Sequence, residues 1–377
     1  MSKDTHKLML NHSQAKVQLY GRYLAKYINI ISRDGYTTHI HLYDLFSGEG
    51  IYDGGEKGSP IIALDAVKKF YGSAAGAAPF INFTFNDIDT DVVAKLNEAL
   101  SKEYKPQKSK IRVSNDNYLN LLRKVNDEVA AFKNEKAVIF LDPKGYKEIS
   151  IAHIKELLSN NKSEVLVFLP IRDMYRFANM SNEERNAGHE PLHKFISEVF
   201  PTGAPKFESQ LDFIHKIKNG LKRVLLNYFV DTFSLEREPG HFFCLFFFTS
   251  HILGFEKMLE TKWELDTEQG RGLKYEKSGM LFSGTEMQDF PNDLKRFIQS
   301  ERKHNSELYA YSLHQGFLTK HTNEILRDWL QKDELQVFNS DGTVGRKGAF
   351  YLTYDSFKND PFKIYFQIKQ NPILKLF

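Results

Sequence analysis

The chain has 377 residues, with 51 Lys and Arg against 48 Asp and Glu and 41% hydrophobic content. That length exceeds one ordinary core, so two domains or a domain with a large insertion are expected, and a net charge of +3 permits nucleic-acid binding without arguing for it. The single Cys244 excludes a disulfide framework, and the longest apolar run, Phe242 to Phe248, is too short to span a bilayer; the expectation is a soluble, cytoplasmic protein with no membrane partner and no metal.

In chain order, apolar residues from Val17 to Ile31 recur at helical spacing, so His12 to Ile31 reads as an amphipathic helix. His39 to Leu45 reads as a strand, followed by the polar, glycine-rich loop Gly54 to Pro60 and a helix over Ile61 to Tyr71. Strand Phe80–Phe85, helix Asp91–Lys102, strand Lys110–Val113 and helix Leu119–Phe132 follow. Ala137–Leu141 and Val165–Leu169 have no polar interruption, as strands buried on both faces require, and helix Ile151–Ser159 lies between them. This alternation predicts an α/β fold with a doubly wound, Rossmann-like sheet. The rhythm breaks after Pro170, so residues 171–240 read as a helical insertion or cap. His241–Thr249 is then a late strand, Phe255–Trp263 a helix and Thr267–Ser278 an exposed loop. Beyond it, helix Ser306–Gln315, a helix opened by Thr322 as N-cap and running to Gln331, and strands Leu335–Phe338 and Ala349–Thr353 around the Asp341-Gly342 turn have a winged-helix layout. The division expected is 1–300 for the sheet domain and 301–377 for the winged-helix-like module.

The chemistry gathers at strand ends, where open α/β sheets bind ligands. Asp44-Leu45-Phe46-Ser47-Gly48-Glu49-Gly50 follows the first strand, Asn86-Asp87-Ile88-Asp89 the second, Asn115-Asp116 the third and Asp142-Pro143-Lys144-Gly145-Tyr146 the fourth. Gly48 and Gly50 would let a cofactor approach the backbone beside Asp44 and Phe46. Asp87 suits a pair of ribose hydroxyls, and Asn115 or Asp116 an adenine amine. Each glycine can also be a turn requirement and each aspartate a cap; their joint order is the stronger signal.

A dinucleotide fingerprint would place glycine where Asp53 stands, and no phosphate-gripping G-x-x-x-x-G-K-[ST] run is present. Glu49 makes the loop acidic. That is poor for pyrophosphate and acceptable for cationic S-adenosylmethionine, so a class I methyltransferase is favoured over a dehydrogenase. Enzymes that methylate exocyclic amines of bases carry Asp/Asn-Pro-Pro-aromatic at the fourth strand end. Here Asp142 and Pro143 match, Lys144-Gly145 departs, and Tyr146 comes one residue late. Asp142, Pro143 and Tyr146 are the candidate catalytic residues, and Lys144, Arg172 and Arg176 the candidate substrate contacts, the arginines also fitting a solvated helix start. In the tail, Arg327, Arg346 and Lys347 would reach phosphates of DNA or RNA, although nearby Asp328, Asp333 and Glu334 balance them.

Four segments, Tyr43–Gly50, Gly58-Ser59-Pro60, Leu141–Tyr146 and Ser250–Met258, make the chain resemble the three-Cys-motif partner protein family over roughly residues 10–370. The resemblance implies a methyltransferase-like domain, a winged-helix-like tail and a partner protein bearing the three-cysteine motif. Lys144 stands where that family more usually has an aromatic residue. The rival expectation is a non-catalytic methyltransferase fold that binds nucleic acid or a partner.

Overall fold

The computed structural model describes residues 11–73, 78–103, 107–180, 189–274 and 289–369. The chain divides into two compact units, Met1–Ser283 and Gly284–Phe377.

The first unit runs α1 (Asn11–Ile31), β1 (His39–Asp44), α2 (Ser59–Ser73), β2 (Phe80–Asn86), α3 (Thr90–Lys102), β3 (Ser109–Ser114), α4 (Tyr118–Ala130), β4 (Glu135–Leu141), α5 (Ile151–Leu158) and β5 (Ser163–Pro170). It continues through α6 (Ile171–Ala178), α7 (Glu190–Val199), α8 (Gln210–Val224), β6 (Phe229–Glu238), β7 (His241–Thr249), α9 (Ile252–Leu265) and β8 (Gly272–Lys274). The sheet order is β3-β2-β1-β4-β5-β7-β6-β8. β7 runs antiparallel to both of its neighbours, and the other pairings are parallel. This is the doubly wound, Rossmann-like sheet expected from the sequence. The chain winds outward from β1 to β3 and returns to place β4 on the other side of β1, so the switch point lies between β1 and β4.

Local chemistry sets the element ends. Asp89 accepts the Asp91 and Val92 N–H groups at the head of α3, Ser150 the His153 N–H at α5, and His251 Nδ1 the Leu253 N–H at α9. His251 is therefore a cap. The helical character expected of 171–240 stops at α8: Phe229, Val230, Phe233 and Leu235 belong to β6, which folds onto β7 through a turn where Gly240 takes φ +72°. The loop expected at 267–278 contains β8, paired with β6; its residues 275–278 lie outside the described residues.

The second unit holds α10 (Phe290–Ser300), β9 (Lys303–His304), α11 (Asn305–His314), α12 (Thr319–Gln331), β10 (Leu335–Asn339), α13 (Tyr354–Asn359) and β11 (Ile364–Ile368), with sheet order β10-β11-β9. The boundary precedes α10 because that helix stacks Phe290 on Phe317 at 4.1 Å and Phe297 on Tyr311 at 3.9 Å. Ala349–Thr353 is not a strand. Phe350 and Leu352 are buried in strand-like alternation, but β11 takes one edge of β10 and the returning loop meets the other through the Gly345 N–H to Val337 carbonyl bond. Thr322 is not an N-cap: α12 starts at Thr319, and the buried Thr322 hydroxyl donates to Ser312 Oγ at 2.7 Å.

One buried group makes the fold pH-sensitive. Glu164 on β5 accepts the Tyr23 and Thr249 hydroxyls, yet burial pushes its carboxyl up to about 7. A carboxyl raised on folding favours the folded state fully below its unfolded pKa, and that contribution is lost as pH rises toward 7. Denaturant titrations from pH 4.5 to 8 should show stability falling by up to about 3 kcal/mol from this group. Glu164→Gln should flatten that part of the slope.

Candidate active site

A cavity of about 740 Å³ opens at the carboxyl ends of β1 to β4. Its floor is stitched by Asn86, a fully buried side chain at the β2 tip. Asn86 Nδ2 donates to the Leu45 and Asp116 carbonyls, while its Oδ1 accepts from the Asp116 N–H and the Ser114 hydroxyl. One amide thus ties the turns after β1, β2 and β3 together, a role its sequence position alone did not reveal.

Asp87 lines the cavity. Its Oδ2 accepts the Gly48 N–H at 3.3 Å and its Oδ1 the Asp89 N–H at 3.0 Å, so both oxygens are oriented before any ligand arrives. Gly48 also lines it, at φ +64°. A Cβ there would lie 3.8 Å from the Tyr52 hydroxyl, so the left-handed backbone rather than space selects glycine. Gly50 does not line the cavity. It takes φ +79°, and a Cβ would meet Leu96 at 2.8 Å while its carbonyl accepts the Gly58 N–H; it shapes the turn from behind. Asp44 likewise sits behind the wall at 1% exposure, where Ser59 Oγ donates to it at 2.5 Å and the Phe46 N–H at 3.3 Å. Burial, with the charge of Asp142 adding to it, raises its carboxyl to about 7.

Phe46 lines the cavity and stacks on Tyr118 at 4.8 Å. Asp116 is there too, held by Lys124 at 2.8 Å, while Asn115 turns away to bond the Asp87 and Ile88 carbonyls. Two apolar side chains stand unusually bare at this end, Ile88 at 68% exposure and Leu119 at 42%. Glu49 is buried; Lys95 bonds its Oε2, and its Oε1 has no partner. Ile88 and Leu119 were within reach of sequence reading as neighbours of the strand-end motifs, as Glu49 was through its place between the two glycines.

At the β4 tip, Asp142 lines the cavity and pairs with Lys16 of α1, a residue the sequence did not single out. The buried Lys16 ammonium also sits 4.7 Å from the centroid of the Phe168 ring at the end of β5. Lys144 is exposed and lines the cavity. Pro143 and Tyr146 do not. Pro143 is buried in the turn, and Tyr146 packs with Ile149 and Ile151 in the core, because the added residue in the motif carries the ring past the opening. Arg172 and Arg176 also lie away from the cavity. Their i, i+4 spacing on α6 puts both on the exposed side while Ile171 and Met174 go inward; Arg172 approaches His241 at 3.5 Å, and Arg176 covers Phe177.

The order His189-Glu190-Pro191-Leu192-His193 has the H-E-x-x-H spacing of zinc sites, which the expectation of no metal passed over. His189 precedes α7 and stacks on Phe177, and among the described residues no three His, Cys, Asp or Glu side chains gather as a metal site. No described helix is long and apolar enough to cross a membrane.

A family model described as a GMT-like wHTH domain matches residues 264–342. The chain is similar to the crystal structure of protein LPL1258 from Legionella pneumophila, assigned to the DUF519 family model, at 13% identity and TM-score 0.42, covering 70% of this chain and 92% of that one. It is also similar to the O-methyltransferase TomG from Streptomyces achromogenes, crystallised with SAM, at 10% identity and TM-score 0.34, over 61% and 79% of the two chains. An O-methyltransferase from Bacillus cereus, crystallised with SAH, is similar at 10% identity and TM-score 0.33, over 65% and 83%. No curated protein matches the chain. The winged helix-turn-helix match begins near the end of the first unit and covers the second as far as residue 342, and the first unit has a doubly wound, Rossmann-like sheet.

Proposed function

We propose that the protein is an S-adenosylmethionine-dependent methyltransferase acting on an exocyclic amine of DNA or RNA. The observation that carries this is the wall of carboxylates, Glu49, Asp87, Asp116 and Asp142, around one cavity at the ends of β1 to β4. Lys95, Lys124 and Lys16 pair with three of these, so the unpaired charge at the strand ends rests on Asp87, which favours a cationic cofactor over a pyrophosphate there. The residues fit the group: Gly48 leaves the backbone bare, Glu49 offers an orphaned acceptor, and Ile88 and Leu119 present apolar surface for a planar ring.

When bound, S-adenosylmethionine supplies an electrophilic methyl group on a cationic sulfur. The chain's task is then position. Asp87 would accept the ribose hydroxyls, its oxygens already oriented by backbone N–H groups. Asp142 would accept a hydrogen bond from the acceptor amine and take the proton that nitrogen loses on methylation, releasing Lys16 to do so. Holding the two reactants in line supplies most of the rate, since no strong acid or base is needed. The winged helix-turn-helix match supports a nucleic-acid acceptor, and the resemblance to three-Cys-motif partner proteins adds a partner bearing that motif to the proposal.

A second reading, a non-catalytic binding module, is favoured by two details: Lys16 holds the Asp142 carboxylate, and Tyr146 is withdrawn into the core. A labelled methyl-transfer assay on DNA, RNA and lysate protein, run side by side, separates the readings. Label in nucleic acid is expected. Label only in protein would overturn the acceptor, and cofactor binding with no transfer to any of the three would favour the second reading.

A further inference from the structure

The cavity continues past the strand ends to the head of α5 and the side of α7, where Lys144, Lys147, Ser150, His153, Lys194 and Phe195 line it. Its charge is divided. Glu49, Asp87 and Asp116 lie at the β1–β3 end, and Lys95 and Lys124 already neutralise two of them. At the far end, Lys144, Lys147 and Lys194 form no side-chain ion pair or hydrogen bond with the described residues, although Glu148 and Glu156 stand on the same wall and the Glu156 carboxylate accepts from Asn126. Two orphaned buried polar atoms complete this part, the Tyr118 hydroxyl, on a side chain 95% buried, and His153 Nδ1.

We infer that this end of the cavity holds a phosphate group of the acceptor, clasped by Lys144, Lys147 and Lys194. Several ammonium groups lining one concave wall with spare donors suit a phosphate-class anion; the head of α5 is not part of the clasp, because the Glu198 carboxylate already accepts the Ile151 N–H at 2.7 Å. The arrangement orients the acceptor: its anionic group goes to the lysines, and its reacting group is left toward Asp142 and the acidic end. The inference rests on the methyltransferase reading for the identity of the bound molecule, but the anion site is testable without catalysis. A free nucleotide and a nucleic-acid backbone present the same chemistry here.

The test is calorimetry at low salt with S-adenosylhomocysteine present, so that the cofactor end is filled. The probes are the four ribonucleoside 5′-monophosphates, their nucleosides and a short single-stranded oligonucleotide. At least one monophosphate should bind about tenfold or more tighter than its nucleoside, as charge-assisted contacts predict. The Lys144→Ala/Lys147→Ala/Lys194→Ala variant should lose that preference while its melting temperature and S-adenosylhomocysteine affinity stay unchanged, because all three side chains are exposed. Tighter, strongly salt-dependent oligonucleotide binding supports the site with nucleic acid as the source, and binding of monophosphates alone supports it with a free nucleotide. Equal binding of nucleotide and nucleoside, absence of binding by every phosphate-bearing probe, or a preference that survives the triple variant would overturn it. A lysine-dependent preference without S-adenosylhomocysteine binding would sink the cofactor reading and leave the anion site standing.

Discussion

Asp142→Ala should abolish methyl transfer, lowering the rate by about 10²-fold or more, while S-adenosylmethionine still binds. Asp142 is the carboxylate at the β4 tip that lines the cavity, and the Asp87 contacts with the Gly48 and Asp89 backbone are independent of it. The substitution has a second effect. It leaves the Lys16 ammonium, which is almost entirely buried, without its carboxylate, and removing one partner of such a pair costs about 3–5 kcal/mol. A loss of activity could then reflect a loosened fold. The Lys16→Met/Asp142→Ala variant removes that ambiguity, because it deletes both charges together. It should recover most of the stability lost by Asp142→Ala and remain inactive, as read by denaturant titration and labelled transfer on the same preparations. Recovery of activity in the double variant would show that Asp142 serves only to neutralise Lys16.

Asp87→Ala should weaken cofactor binding by about 10²-fold, the worth of two hydrogen bonds to a charged acceptor. Asp87→Asn should lose less, about tenfold, because one carbonyl oxygen still accepts while the other position becomes a donor facing the Gly48 or Asp89 N–H. The two variants together separate loss of the ligand contact from loss of loop support. Equal affinities of wild type and Asp87→Ala, measured by calorimetry, would remove Asp87 from the cofactor site.

The frame of the sheet was legible because β1, β2, β4 and β5 are apolar runs bounded by polar turns, and their order follows from the alternation with amphipathic helices. The short strand β8 was not, since three residues carry no period and gain their identity from pairing with β6. Phe350 and Leu352 misled for the opposite reason: alternation marks burial, and a strand also needs a free edge to pair with. The cavity-lining places of Asp87 and Gly48 were legible from their position after a strand, whereas Gly50 carries the same signal and packs behind the wall. Lys16 was beyond reach, because its partner lies 126 positions along the chain. The motif at 142–146 predicted a stacking tyrosine. One added residue moves Tyr146 into the core, and Lys144 occupies the cavity lining instead.

Titration of S-adenosylhomocysteine into the purified wild-type chain by calorimetry tests the central claim most directly, since it asks only whether the carboxylate-lined cavity at the ends of β1 to β4 takes this cofactor. The account predicts saturable binding of one molecule per chain, weakened by Asp87→Ala and retained by Asp142→Ala. Absence of binding to the folded wild-type protein, or binding unaffected by Asp87→Ala, would contradict it.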